Sequence, residues 1–322
     1  MKIAGNNFAV IGGAGFIGSY ICEELCRRDA GKILVIDNFS RGKLSNLKFI
    51  TKSKFNLTIE RSNILDKMIL PLLFERYNIQ GVFHLAASWL NECYNKPMDC
   101  VYNNIIGTFN VLDACREMGV ERLVFSSSAS VYGDQPTDAP IKEDAPYLNK
   151  NLYGTTKIAG EHLLQSFHYQ FGLSCCALRY MNVYGPRMDT LGAYVGLIPK
   201  VLNNIDNKEP VVIAGDGEQM FDFIYVTDVA AANILMMGYD GAFDFMNVGS
   251  GIGNTVNYVV DRLVELYGKS ADIVYDKSLM KSTAVTRRIG STEKAESLGF
   301  KPQVPLHEGL RRVIEWHREK KK

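Results

Sequence analysis

What the 322-residue sequence lacks narrows the field first. It carries no surplus of either charge: 36 Lys and Arg against 35 Asp and Glu leave a formal +1, so no global field draws it to nucleic acid or to a membrane surface. Neither is expected as a partner, and the Lys-Lys-Lys end at 320–322 reads as a solvated tail. There is no run of 18 or more apolar residues and no apolar signal segment after Met1, which implies a soluble, cytoplasmic protein. The seven cysteines, at 22, 26, 93, 100, 115, 175 and 176, are odd in number and contain no Cys-x-x-Cys pair. Neither a disulfide framework nor a metal site is expected, and reduced thiols fit best, with Cys22 and Cys26 as small core residues on one helical face.

What is present begins with a 47% hydrophobic content, enough for a sizeable core: one large domain with a smaller lobe. The stretch Tyr153-Gly-Thr-Thr-Lys157 organises the rest. Residues four apart in a helix stand on one face, so Tyr153 and Lys157 would point into one site. A free tyrosine titrates near 10, and a base working near neutrality needs that lowered by roughly 3 units, or about 4 kcal/mol, which a neighbouring ammonium supplies. Ser128 stands 25 residues earlier, after the apolar run Arg122-Leu-Val-Phe125, which reads as a buried strand delivering a hydroxyl to a sheet edge. Such a serine, tyrosine and lysine can remove a proton from an alcohol. A Tyr-x-x-x-Lys pair alone is equally a feature of solvated helices, so its meaning depends on its context.

That context is a nucleotide-binding pattern. Phe8-Ala-Val-Ile11 is an apolar strand, followed by Gly12, Gly15 and Gly18 and then by helical spacing over 19–28. Glycines allow a tight turn and close approach to a pyrophosphate seated on a helix N-terminus. The second strand, Lys32-Ile-Leu-Val-Ile36, ends at Asp37, 19 residues after Gly18, near the usual offset of the carboxylate that holds an adenosine ribose. Asp37 would repel a 2′-phosphate and so favours NAD over NADP; Arg41 nearby weakens that inference, and an ordinary turn residue is the alternative. Further βα units follow: Leu57-Thr-Ile-Glu60 leading to Asn63 and Ile64 at the edge of an adenine pocket, a helix over 67–77, a strand over 81–87, and a helical stretch around Asn104 that runs to Met118. This last stretch has apolar residues at 105, 109 and 112 with a second stripe beside them. His84 reads as a packed core histidine without chemistry. The repetition predicts an α/β fold with a doubly wound parallel sheet.

Taken in order, Gly12-x-x-Gly15-x-x-Gly18, Asp37, His84-Leu-Ala-Ala87, Asn104-x-x-Gly-Thr108, Phe125-Ser-Ser-Ser-Ala-Ser-Val-Tyr-Gly133 and Tyr153-x-x-x-Lys157 resemble the extended short-chain dehydrogenases/reductases. The similarity is to their nucleotide-sugar epimerase/dehydratase branch, which includes the UDP-galactose 4-epimerases. It continues through Leu178-Arg-Tyr-Met-Asn182-Val-Tyr-Gly-Pro-Arg187, Gly215-Asp-Gly-Glu-Gln219, Asp222-Phe-Ile-Tyr-Val-Thr-Asp228 and Asn247-Val-Gly-Ser-Gly251, nearly the whole chain.

The resemblance implies a Rossmann-type NAD domain over 1–182 and 221–240 and a smaller α/β lobe for a nucleotide-diphosphate sugar over 183–220 and 241–322. It implies NAD contacts from Gly12, Gly15, Phe16, Ile17, Gly18, Asp37, Asn38, Asn63, Ile64, Leu85, Ala86, Ala87, Asn104, Ser126, Tyr153, Lys157 and Tyr180, the last also readable as pocket wall. For the substrate it implies Ser128, Ser130, Tyr153 and Asn182, with Asn182 alternatively a turn residue. Tyr153 would be the base, Lys157 its cationic partner and Ser128 the residue that orients the reacting hydroxyl.

Two departures stand out. Where the family usually has an arginine gripping the nucleotide diphosphate, this chain has Phe221, which gives up a charge-assisted hydrogen bond of about 1.5 to 3 kcal/mol. Arg187, Lys200, Arg287 and Arg288 are candidate replacements, each alternatively a surface charge. The later family segment is altered over Lys281-Ser-Thr-Ala-Val285 and Gly290-Ser291, so the nucleotide stays open among UDP, GDP, CDP and dTDP. Ala129-Ser130 stand where dehydratases of the family carry an acid, which speaks against 4,6-dehydration and decarboxylation. A 4-epimerase is the first reading, a 4-dehydrogenase releasing a 4-keto sugar the second, and a silent NAD-binding scaffold a third that the intact Ser128, Tyr153 and Lys157 oppose. Relatives dimerise through paired helices, here about 97–118 and 152–171.

Overall fold

A computed structural model describes residues 1–52, 56–189, 196–280 and 284–320; Lys281 to Thr283 and the last two lysines of the basic tail lie outside the described residues. In chain order the strands are β1 (Phe8–Ile11), β2 (Ile33–Asp37), β3 (Leu57–Arg61), β4 (Gly81–His84), β5 (Arg122–Ser128), β6 (Cys175–Tyr180), β7 (Asn182–Tyr184), β8 (Val211–Ala214), β9 (Met220–Tyr225), β10 (Phe243–Val248), β11 (Gly253–Thr255), β12 (Ile273–Asp276) and β13 (Arg287–Arg288). They form two compact units: 1–131, 149–180 and 229–246 in the first, 132–148, 181–228 and 247–322 in the second.

In the first unit the largely apolar strands β1, β2 and β4 are buried at every position, as strands covered on both faces must be. The seven-stranded order is β10-β6-β5-β4-β1-β2-β3, and the pairings from β3 through to β6 are parallel. The chain winds outward from β1 to β3, then returns to place β4 beside β1 with Ile11 opposite His84. Doubly wound sheets take their ligands beyond the carboxyl ends of the strands at such a reversal, here those of β1 and β4.

The second unit is built on β9, flanked by β11 antiparallel and by β7 and β13 parallel; β8 and β12 pair separately. Segment 132–148 belongs here, not in the NAD domain as its sequence position suggested. Tyr132 donates its hydroxyl to Asn247 Oδ1 at 2.7 Å, and Ile141 bridges to Gly290.

One expectation is overturned. Cys93 and Cys100 form a disulfide, while Cys22, Cys26, Cys115, Cys175 and Cys176 are free and buried. Helices Leu90–Asn95 and Pro97–Val101 meet at a sharp corner at Lys96, which brings the two cysteine Cα atoms to 4.8 Å. A corner between two short helices cannot be read from the seven-residue spacing alone. Among the described residues no helix is long and apolar enough to cross a membrane.

Candidate active site

The turn after β1 leaves no room for a Cβ at Gly12, Gly13 or Gly18. Gly12 has φ +80°, and a Cβ there would lie 2.8 Å from the Ala86 nitrogen; a Cβ on Gly18 would collide with the Gly12 carbonyl. Gly15 caps helix Phe16–Arg27 without a side-chain cap. The amides of Phe16, Ile17 and Gly18 thus head the helix ahead of the bond from Ser19 N to Gly15 O, and are the donors an anion takes up. At the end of β2, buried Asp37 accepts from Ala14 N at 3.0 Å and Phe39 N at 2.8 Å. Burial pushes its carboxyl pKa up against those two bonds.

Asn38 is exposed and accepts from Ser40 N. Arg41, the cation that could have served a 2′-phosphate, is turned onto the ring of Trp89, 4.3 Å from its centre. Ile64 is buried with its side chain against Gly107, while Asn63 is exposed and closes its own turn on Leu65 N. Leu85 and Ala86 both donate to Ile11 O, which lays the Leu85-Ala86-Ala87 loop along the glycine turn. Glycines that a Cβ would fill, uncapped helix amides and a carboxylate at the second strand's end together fit a dinucleotide.

The second half of this unit's site stands on helix Leu152–Phe171, started by Asn151, whose Oδ1 accepts from Gly154 N at 2.8 Å. Tyr153 and Lys157 share a face: the ammonium lies 5.7 Å from the tyrosine ring centre and donates to Ser126 O at 2.7 Å. Lys157 is 3% exposed, and burial lowers its pKa to about 8 against the opposing pull of the Glu161 carboxylate. Glu161 itself is buried, accepting from Ser127 Oγ at 2.6 Å and from Arg179 Nε and Nη2 at 2.9 and 2.8 Å. Side chains alternate along β5, so Ser127 locks the helix onto the sheet while Ser126 and Ser128 belong to the opposite face. Ser128 Oγ accepts from Ser130 N at 3.1 Å. Tyr180, in register with Ser128 on β6, donates to Asn233 Oδ1, and burial pushes its pKa up.

Sequence reasoning missed the link between the two halves. Asn104 Oδ1 accepts from Ser88 N at 2.7 Å, while its amide donates to Ser88 O at 2.8 Å and Thr156 Oγ1 at 2.9 Å. Thr156 in turn donates to the Tyr153 carbonyl at 2.8 Å. The loop after β4 is thereby tied to the helix that carries the tyrosine. Glu161, four residues beyond Lys157, was a legible signal on the same helical face; Ser88 and Thr156 carried none. His84 is fully buried beside Thr108, and burial, then the charge of Lys157, lowers its pKa to about 3, so it is a neutral core residue.

In the second unit, Arg288 Nη2 donates to Asn182 Oδ1 at 3.2 Å. Arg288 is the register partner of Phe221, with its guanidinium carbon 5.8 Å from that ring centre. Arg287 faces the other way and donates to the Asp138 carbonyl at 2.7 Å. Arg187 takes a left-handed backbone conformation, and Lys200 is exposed on helix Leu197–Asn207.

A profile of the NAD dependent epimerase/dehydratase family matches residues 8–249. The chain belongs to that family. Within this family of extended short-chain dehydrogenases/reductases, the chain is 32% identical over 310 residues to a putative UDP-glucose 4-epimerase of Methanocaldococcus jannaschii, covering 95% of this chain and 97% of that one. The fold superposes with a TM-score of 0.91 on the UDP-N-acetylglucosamine 4-epimerase of Methanobrevibacter ruminantium in complex with UDP-N-acetylmuramic acid, at 34% identity over 99% of this chain and 100% of that one. A TM-score of 0.91 is also found with the UDP-glucose 4-epimerase of Thermotoga maritima with UDP-glucose, at 33% identity over 98% and 100%.

Proposed function

We propose that the protein is a UDP-sugar 4-epimerase. The observation that carries this reading is Lys157, a buried ammonium held by the Ser126 carbonyl on the same helical face as Tyr153. A cation kept near a phenol in a dry site favours the phenolate, which then takes the proton of a sugar hydroxyl. Ser128, at the end of β5, orients that hydroxyl, and NAD when bound supplies the hydride acceptor and donor at C4. The resulting 4-keto sugar turns in the site and is reduced on its other face. Ala129 and Ser130 put no acid next to Ser128 in the chain, where elimination at C5 and C6 would draw on a second proton carrier, which favours epimerisation.

Nucleotide recognition falls to the second unit. Arg288, held by Asn182, is the cation we assign to the diphosphate in place of the arginine absent at 221. The UDP assignment is supported by the relatives named above, which act on or bind UDP-linked sugars. A reaction drawing on NAD and activated sugars belongs in the cytoplasm.

We also read the chain as a homodimer. Met98, Tyr102, Ile106 and Phe109 are all exposed and recur at four- and three-residue intervals along the continuous helical run 97–117, a stripe that a second copy would cover.

The test is incubation of purified protein with UDP-glucose, UDP-galactose and their N-acetylated and uronic counterparts, followed by proton NMR. A 4-epimerase gives the C4 epimer with no net NADH; stoichiometric NADH and a 4-keto product would make it a dehydrogenase, and a 4-keto-6-deoxy product a dehydratase.

A further inference from the structure

We propose that Arg41 and Trp89 form a clasp over the glycine turn that slows escape of the bound dinucleotide. The inference rests on the NAD binding of the proposed function but not on its sugar chemistry.

The contacts on either side of the turn locate the clasp. The loop after β2 is tied to the turn, since Lys43 N and Asn46 Nδ2 donate to Ala14 O at 3.0 and 2.9 Å and Ala14 N donates to Asp37. The loop after β4 lies against the turn's other flank, through Leu85 N and Ala86 N to Ile11 O and the close approach of Ala86 to Gly12. Arg41 comes from the first loop and Trp89 from the second, and they meet with the guanidinium carbon 4.3 Å from the indole ring centre. The pair therefore joins the two loops that flank the amides of Phe16, Ile17 and Gly18.

The two partners differ in their surroundings. Trp89 follows Ser88, which Asn104 holds at both its N–H and its carbonyl, and the Trp89 carbonyl accepts from Cys93 N at 2.9 Å. Cys93 is itself bonded to Cys100. Trp89 thus stands on a braced corner, whereas Arg41 is an exposed side chain on a surface loop. Tryptophan offers the best ring face for a cation, so the contact is the strongest that a side chain of this kind can make across the two loops.

The clasp suits one chemistry over its neighbour. An epimerase returns its dinucleotide to the starting oxidation state within each turnover, so nothing has to leave. A dehydrogenase must exchange reduced for oxidised dinucleotide every cycle, and slow release would limit it.

To test this, holoprotein loaded with NAD is freed of excess by gel filtration, and released NAD is trapped by alcohol dehydrogenase with ethanol and followed as NADH absorbance. Trp89→Ala and Arg41→Ala should each speed release about tenfold, or about 1.4 kcal/mol. The double substitution should be no faster than either alone, because one contact is lost once. Trp89→Phe, which keeps a ring face, should fall between. Arg41 is exposed and its truncation leaves the core intact, so that arm decides the matter even if Trp89→Ala fails to fold. Wild-type release rates in Arg41→Ala, or a double variant faster by the product of the single effects, would overturn the clasp. No sugar nucleotide enters this assay, so its failure leaves the epimerase reading untouched, and failure of epimerisation leaves the clasp standing.

Discussion

Arg288 and Phe221 occupy one register position on neighbouring parallel strands, with the guanidinium carbon of the first 5.8 Å from the ring centre of the second. Residues in register point to the same face of a sheet, so β13 presents a cation on the face where β9 carries Phe221, the position we propose it serves. Arg287, one residue earlier, points to the opposite face and is committed to Asp138.

Truncating Arg288 to alanine should therefore weaken UDP-sugar binding by roughly 10- to 100-fold in calorimetry, the range of a charge-assisted hydrogen bond. Arg287→Ala should change affinity by less than about threefold. Adding Phe221→Arg to Arg288→Ala should recover part of the loss; equal losses at 287 and 288 would remove Arg288 from the diphosphate role.

The Lys157 ammonium is held in a place that disfavours it. Its pKa of about 8 in the folded protein lies below the ordinary 10.5, so the folded state pays the full cost of the charge below about pH 8, and stability should rise as pH climbs from about 8 towards 10.5. Urea unfolding without added dinucleotide should show that rise, and Lys157→Met should abolish it while gaining roughly 2 kcal/mol at pH 7. Turnover should move the other way, falling above about pH 8 as the cation beside Tyr153 is lost. A stability curve without the rise would contradict the burial argument.

Thiol counting checks the corner at Lys96. Protein denatured without reductant should take up alkylating reagent at the five free cysteines, and at all seven once reductant is added. Seven labels without reductant would show Cys93 and Cys100 unbonded.

Static light scattering tests the exposed stripe. The wild type should run at twice the 36.0 kDa chain mass, and Tyr102→Glu with Ile106→Glu at the single-chain mass. A single-chain wild type would leave the stripe without a second copy to cover it.

The parts of the site legible in the sequence are those fixed by spacing within one segment. The glycine turn, Asp37 one βα unit later, and Tyr153 with Lys157 one helical turn apart all depend on local geometry. What escaped depends on how distant segments meet. The choice of Arg288 over Arg287 is a matter of strand register; the Asn104, Ser88 and Thr156 link joins three elements; Arg41 meets Trp89 across two loops. The Cys93–Cys100 bond follows from a helix corner that composition obscures. Segment 132–148 packs with the second unit through Asn247 and Gly290, partners more than a hundred residues further on that local spacing does not reveal.

The central claim, that Tyr153 is the base, is tested most directly by Tyr153→Phe. With NAD content and melting temperature matched to the wild type, the variant should lose C4 epimerisation of its UDP-sugar by at least about a thousandfold, since only the phenol oxygen is removed. Epimerisation within tenfold of wild type in that variant would contradict the account.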